Sequence, residues 1–359
     1  MIQVTKSYLP DLEEYVKHLE GIWERGHLTN HGPLVLELES KIKDYLGVKH
    51  FFFVNNGTIA LQIAIKALDL KNEVITTPFS YVATTSSLVW EGCKPVFADV
   101  EHGTLTLSAK DIENKVCKNT TGILATHVYG NPCDVEGIEK IAKIHGLKVI
   151  YDAAHAFGVN YKNTSVLNYG DISTLSFHAT KLFHTIEGGG IITNDDELAA
   201  KIAYMRNFGH NGPEKFFGIG INGKSSEFQA AMGLCLLPKI EVLIERRKVI
   251  SDRYKTMLEG LPIMHLLIQE NTTKYNYSYF PILFESEEVL KKVMDSLASE
   301  DINARRYFYP VLSSLDYVEN NIPDSFAEQA SKRVLCLPLY PDLSISDVDR
   351  ISEIIKAVL

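Results

Sequence analysis

Lys181 stands in the run Ser176-Phe177-His178-Ala179-Thr180-Lys181, with Glu187-Gly188-Gly189-Gly190 a few residues on. A lysine that has lost its proton attacks carbonyl carbon, so a lysine in a short loop can form an imine. Three successive glycines let backbone approach a ligand or a neighbouring chain closely. A second group is Tyr151-Asp152-Ala153-Ala154-His155. An acid at the end of an apolar strand is costly to bury unless a cation or hydrogen-bond donors meet it. A third group, Asn56-Gly57-Thr58, opens a helical stretch. Free N–H groups at a helix start, with a hydroxyl beside them, make an anion site. Each group alone also has an ordinary reading. Lys181 could be a surface lysine, Asp152 a helix N-cap before two alanines, and Asn56-Gly57-Thr58 a plain turn.

Together the three groups fit one ligand, pyridoxal 5'-phosphate. That cofactor needs a lysine for the imine and a carboxylate that keeps its ring nitrogen protonated, so that the ring draws electrons. It also needs a helix N-terminus for its phosphate.

The elements that must hold these groups alternate. Phe51-Phe52-Phe53-Val54, Glu73–Thr77, Lys94–Ala98, Gly122–Thr126, Lys148–Tyr151, Thr174–Phe177 and Gly190–Thr193 read as short strands. Leu34–Leu46, Ile59–Leu68, Tyr81–Glu91 and Val135–His145 read as helices between them. Strands alternating with helices imply βαβ units, a mostly parallel sheet and a ligand at the carboxyl ends of the strands. After residue 225 the pattern changes to a long helix, Glu227–Leu258, interrupted at Pro238. A smaller α+β unit follows: Tyr277–Phe284 as strand, Glu287–Ser299 as helix, Val334–Leu337 as strand and Asp347–Leu359 as helix. The expected division is 1–240 for a large α/β domain and 241–359 for a small α+β domain.

Size and composition agree with this plan. A chain of 359 residues, 45% hydrophobic and 23% charged, suits one large and one smaller folded unit. A net charge of −9 disfavours nucleic acid as a partner. Arg246-Arg247-Lys248 and Arg305-Arg306 are the obvious basic patches, read as solvated faces. The five cysteines are odd in number and widely spaced, which points to the cytoplasm and away from disulfides or a zinc site. No apolar run approaches the ~20 residues of a membrane span, so no membrane partner is expected.

The sequence also resembles the DegT-type nucleotide-sugar aminotransferases over nearly its whole length. The likeness rests on an ordered set of segments. These are Leu28-Thr29-Asn30-His31-Gly32-Pro33, Asn56-Gly57-Thr58-Ile59-Ala60-Leu61, Thr77 to Thr84, Asp152 to His155, Ser176 to Lys181, Glu187-Gly188-Gly189, Gly220-Ile221-Asn222, Glu227 to Ala231, and Leu337 to Pro341. The resemblance implies the pyridoxal-phosphate transferase fold of aspartate-aminotransferase type and assigns roles. Lys181 would be the Schiff-base lysine and proton carrier, Asp152 the partner of the ring nitrogen, and His155, where most members have Gln, the partner of the ring hydroxyl. Tyr81 would stack on the ring, and Gly57, Thr58 and Ser176 would hold the phosphate. Asn222 would reach the phosphate of a neighbouring subunit, so the resemblance implies a homodimer with shared sites.

Two places depart from the family pattern. Gly223 and Lys224 stand where many members have an aromatic residue and an arginine, and Val311-Leu312 follow Tyr309-Pro310 where many have a histidine. The loop around Lys181, with His178 and His184, looks most like the branch that aminates C4 of a 4-keto-6-deoxyhexose. The implied reaction moves an amino group from L-glutamate to a nucleotide-linked ketosugar, best matched by dTDP-4-keto-6-deoxy-D-glucose. An enzyme acting at C3, or giving a galacto product, is the alternative within the family, and a non-enzymatic regulator the alternative outside it. His184, Lys224 and Tyr309 are the expected substrate contacts, with loop packing the other reading of His184. Gly218 to Ser225 also fits the phosphate-loop pattern G-x-x-x-x-G-K-S, but it lacks a proper strand before it.

Overall fold

The computed structural model describes residues 1–319 and 321–359. The apolar runs form a seven-stranded sheet. Its strands are β1 (His50–Val54), β2 (Glu73–Thr76), β3 (Lys94–Phe97), β4 (Thr120–Thr126), β5 (Lys148–Asp152), β6 (Ile172–Ser176) and β7 (Gly189–Thr193). The spatial order is β1-β7-β6-β5-β4-β2-β3. All neighbours run parallel except β7, which is antiparallel to both β1 and β6. Parallel neighbours need a long crossover, whereas β6 and β7 are joined directly by the loop that carries Lys181 and therefore turn back on each other.

Helices cover both faces, as buried parallel strands require; the chain's helices include α1 (Leu12–Arg25), α5 (Ala109–Lys115), α7 (Asp196–Met205) and α11 (Phe326–Arg333). On one face lie α2 (Pro33–Leu46), α6 (Val135–His145) and α8 (Glu227–Leu236), whose Leu38, Ile42, Ile138 and Ala231 pack with Phe53 and Phe177. On the other lie α3 (Gly57–Ala67) and α4 (Val82–Trp90), with Ala60, Ile63 and Leu88 against Val74, Leu124 and Ile191.

The expected helix Glu227–Leu258 is divided. A short 3₁₀ turn, Leu237–Lys239, separates α8 from α9 (Ile240–Met257), because Pro238 has no N–H to donate. The first half of α9 buries Ile240, Leu243 and Ile244 in the sheet's core. Its second half puts Ile250 and Tyr254 in a separate core with Ile282, Leu290, Leu335 and Ile351. That core holds an antiparallel sheet of β8 (Ile263–His265), β9 (Phe280–Phe284) and β10 (Val334–Leu337), covered by α10 (Glu287–Ser299) and α12 (Ile345–Val358). β9 starts three residues later than the sequence pattern suggests, since Tyr277 takes φ 51° and cannot continue a strand.

The basic run Arg246-Arg247-Lys248 is not uniformly solvated. Arg247 is 2% exposed. Its guanidinium donates to the carbonyls of Ser278 (3.2 Å) and Leu339 (3.2 Å), so this cation ties α9 to the segments on either side of the small sheet. All five cysteines are free. Among the described residues no helix is long and apolar enough to cross a membrane.

Candidate active site

The loop between β6 and β7 is pinned at both ends. The Phe177 amide donates to Gly188 O (2.8 Å) and the Thr185 amide to Phe177 O (3.0 Å). Leu182 and Phe183, next to Lys181, are buried, and Phe183 stacks on Phe157 with centroids 4.5 Å apart. Sinking these two side chains into the core holds Lys181 on the opposite side of the turn, at the carboxyl ends of the strands. There burial pushes its ammonium down to about 8, against the raising effects of Asp152 and Tyr81. About a tenth of the amine is therefore neutral and nucleophilic at pH 7, far more than for an ordinary lysine.

Asp152 ends β5 and is 6% exposed. Its carboxylate accepts from the Thr84 hydroxyl (2.7 Å) and the Ala154 amide (3.1 Å). Burial lifts its pKa, while Thr84, Ala154 and the charge of Lys181 oppose that lift. A cation delivered to this carboxylate would hold it ionised. His155 is 5% exposed, and its Nδ1 accepts from the Tyr129 amide (3.1 Å). Burial, then the nearby lysine, keeps the ring well below its usual pKa. The ring is neutral, so its proton sits on Nε2, which makes that nitrogen a donor.

The anion cup forms where α3 starts. Asn56 caps the helix by accepting from the Ile59 amide (2.8 Å). That cap uses one first-turn donor and leaves the amides of Gly57 and Thr58 free of helical partners. Ser176, the last residue of β6, lies against them: a Cβ on Gly57 would sit 2.9 Å from the Ser176 Cβ. A Cβ on Gly189 would meet Asn56 O at 2.5 Å. Both glycines are therefore needed for the close approach that builds the cup.

Gly57, Thr58, Tyr81, Asp152, His155, Ser176 and Lys181 all line one cavity of about 360 Å³. Tyr81 is 59% exposed, leaving its ring free to cover a ligand from the open side. Four expected residues lie elsewhere. Asn222 is exposed, and its Oδ1 accepts from Lys224 Nζ (2.9 Å), which itself sits 4.5 Å from the Phe208 ring centroid. Neither residue lines this chain's own cavity. His184 is buried; its Nε2 lies 2.7 Å from Tyr8 O and its Nδ1 accepts from the Ile186 amide (3.3 Å). With both ring nitrogens engaged it packs the loop against the N-terminal segment and has no atom left for a sugar. Tyr309 is turned outward because Arg306, paired with Glu287 (2.9 Å), stacks on its ring (3.5 Å).

The cavity wall also contains Tyr279, Arg305, Tyr307 and Phe308, which sequence reasoning passed over. Arg305 belongs to a pair read as a solvated face. Its guanidinium lies 5.0 Å from the Tyr307 ring, and among the described residues no carboxylate pairs with it. Its backbone exchanges two hydrogen bonds with Cys336 in β10. That long-range pairing brings it to the site and leaves no local signal in the sequence.

The model of the DegT/DnrJ/EryC1/StrS aminotransferase family matches residues 11–356. The chain belongs to this family. A dTDP-4-amino-4,6-dideoxy-D-glucose transaminase from Shigella dysenteriae is 43% identical over 362 residues, covering 99% of each chain. A protein of the same name from Escherichia coli is 41% identical, covering 99% of this chain and 98% of its own. Among solved structures, DesI in the presence of its TDP-sugar product matches with a TM-score of 0.94 at 30% identity, over 99% of this chain and 92% of that one. As a DegT/DnrJ/EryC1/StrS aminotransferase the chain uses pyridoxal 5'-phosphate. The residues present fit that cofactor: a buried acid in no direct ion pair among the described residues, a donor imidazole, an anion cup whose glycines leave no room for a Cβ, and a lysine with a lowered pKa share one cavity.

Proposed function

We propose that this aminotransferase moves the amino group of L-glutamate to C4 of dTDP-4-keto-6-deoxy-D-glucose, giving dTDP-4-amino-4,6-dideoxy-D-glucose. The observation that carries this reading is the convergence of Lys181, Asp152 and the α3 N-terminus on one cavity, in a chain similar along its full length to transaminases named for that product.

When bound, the cofactor supplies a carbonyl that condenses with amines and a ring that withdraws electrons from the adjacent carbon. The chain supplies the rest. The amides of Gly57 and Thr58 and the hydroxyls of Thr58 and Ser176 would hold the phosphate. Asp152 would pair with the ring nitrogen and His155 Nε2–H would donate to the ring hydroxyl. Tyr81 covers the open face. Lys181 Nζ takes the α-proton of glutamate and returns a proton to the sugar carbon in the second half of the cycle. Arg305 offers a planar cation to the anionic groups that both substrates carry.

Asn222 and Lys224 lie outside their own cavity and are proposed to serve the site of a second copy. Phe216, Phe217 and Ile219, all exposed within four residues of sequence just before Asn222, support such a dimer. In this reading residues 1–240 form the large domain and 241–359 the small one, and the enzyme acts in the cytoplasm. The test is to incubate the holoprotein with glutamate and dTDP-4-keto-6-deoxyglucose and locate the new amine by NMR. An amine on C4 with the gluco configuration is expected; an amine on C3, or none, would redirect the substrate assignment.

A further inference from the structure

We infer that Tyr279 is a positioning residue for Lys181, its hydroxyl holding the released ε-amine in place between the two proton transfers. The inference rests on the reading of Lys181 as the proton carrier.

The Tyr279 hydroxyl lies 3.5 Å from Lys181 Nζ, and the same Nζ lies 5.9 Å from the Tyr279 ring centroid. Among the described residues no other side chain hydrogen-bonds to this amine. A lysine side chain has four rotatable bonds, so an amine freed from the cofactor loses its aim unless something holds it. A phenol suits that task in both protonation states. It donates to the lone pair of a neutral amine and accepts from an ammonium. The amine can therefore gain and lose a proton without changing its partner.

The tyrosine is itself fixed from several sides. Just before it, Asn276 donates through its side-chain amide to His155 O (2.7 Å) and Phe157 O (3.0 Å). The Ser278 hydroxyl also donates to His155 O (2.6 Å), while Arg247 donates to Ser278 O (3.2 Å). The Tyr279 ring stands edge-on to His155 (5.0 Å), Tyr307 (5.5 Å) and Tyr129 (5.8 Å). Burial raises its pKa, with Cys336 adding to the rise and Arg247 and Arg305 opposing it, so the phenol keeps its proton at neutral pH. The segment is thus clamped to the same loop that carries His155, and the hydroxyl is delivered to Lys181 by a part of the chain almost 100 residues away.

The test is the Tyr279→Phe variant, which removes one oxygen and keeps the ring packing. Exchange of the glutamate α-proton is followed by NMR in heavy water, together with KM for glutamate and the thermal midpoint. A positioning role lowers the exchange rate roughly 10- to 100-fold with KM within about threefold of wild type and the thermal midpoint unchanged. A rate equal to wild type, or a rate, KM and thermal midpoint that all deteriorate together, overturns the inference. A second measurement does not involve turnover: in the cofactor-free protein, acylation of Lys181 is followed by mass spectrometry against pH. Its midpoint shifts in Tyr279→Phe if the hydroxyl holds the amine, and an unmoved midpoint also overturns the inference. Full exchange in Lys181→Ala would instead refute the role of the lysine, which keeps the two failures apart.

Discussion

Lys181 is a case of burial outweighing attraction. Removal of its ammonium from water lowers its pKa more than Asp152 and Tyr81 raise it, and the balance falls at about 8. The neutral amine is the form that attacks an aldehyde, and it predominates above that value. The rate at which cofactor-free protein captures pyridoxal phosphate covalently should therefore rise with pH through a midpoint of about 8, as followed by the visible band of the product. A rate still climbing toward the ordinary lysine range, with no plateau after pH 9, would mean that the amine is not desolvated. Asp152 and His155 show the same physics with opposite outcomes. Burial favours the neutral form of each, but only the acid has donors that offset it. This asymmetry gives a carboxylate that seeks a cation beside an imidazole that stays a neutral donor. Sequence order made Lys181, Asp152 and the α3 start legible because each lies at a strand or helix end marked by apolar runs and glycine.

The anion cup is a property of three elements at once: β6, β7 and the start of α3. Gly189 pairs with Val54 on one side and Ser176 on the other, while its Cα faces the Asn56 backbone. Gly189→Ala should force that backbone outward, since a Cβ would lie 2.5 Å from Asn56 O. The expected cost is about 1–3 kcal/mol of stability, measured by denaturant unfolding, together with weaker cofactor retention on dialysis. A variant with wild-type stability and retention would show that the cup is looser than described. Elements with one apolar stripe were legible: Val135–His145 and Glu287–Ser299 match the sequence pattern residue for residue. Helix Leu12–Arg25 was passed over although Leu12, Tyr15, Val16, Leu19, Ile22 and Trp23 recur at helical spacing. Tyr15, Leu19 and Ile22 of that stripe meet this chain's core, while Leu12, Val16 and Trp23 stay exposed. Tyr279 and Arg305 escaped for a different reason. Neither sits at an element end that local pattern marks, and both reach the cavity through contacts with residues far away in sequence.

For the assembled enzyme, the placement of Asn222 and Lys224 outside their own cavity has a direct consequence. If they serve a second copy, each site uses Lys181 from one chain and Asn222 from the other. Mixing Lys181→Ala subunits with Asn222→Ala subunits then creates heterodimers in which one site lacks both groups and the other has both. Random reassociation should restore about a quarter of wild-type activity, well above either parent, because half of the dimers carry one intact site out of two. Activity no greater than the average of the parents would place Asn222 at its own chain's site or at none. Cofactor, substrate and subunit arrangement all depend on one covalent event at one amine. Borohydride reduction of the holoprotein, followed by peptide mass spectrometry, tests it most directly. A pyridoxyl group is expected on Lys181 and absent in Lys181→Ala; a modification on another lysine, or none at all, would contradict the assignment.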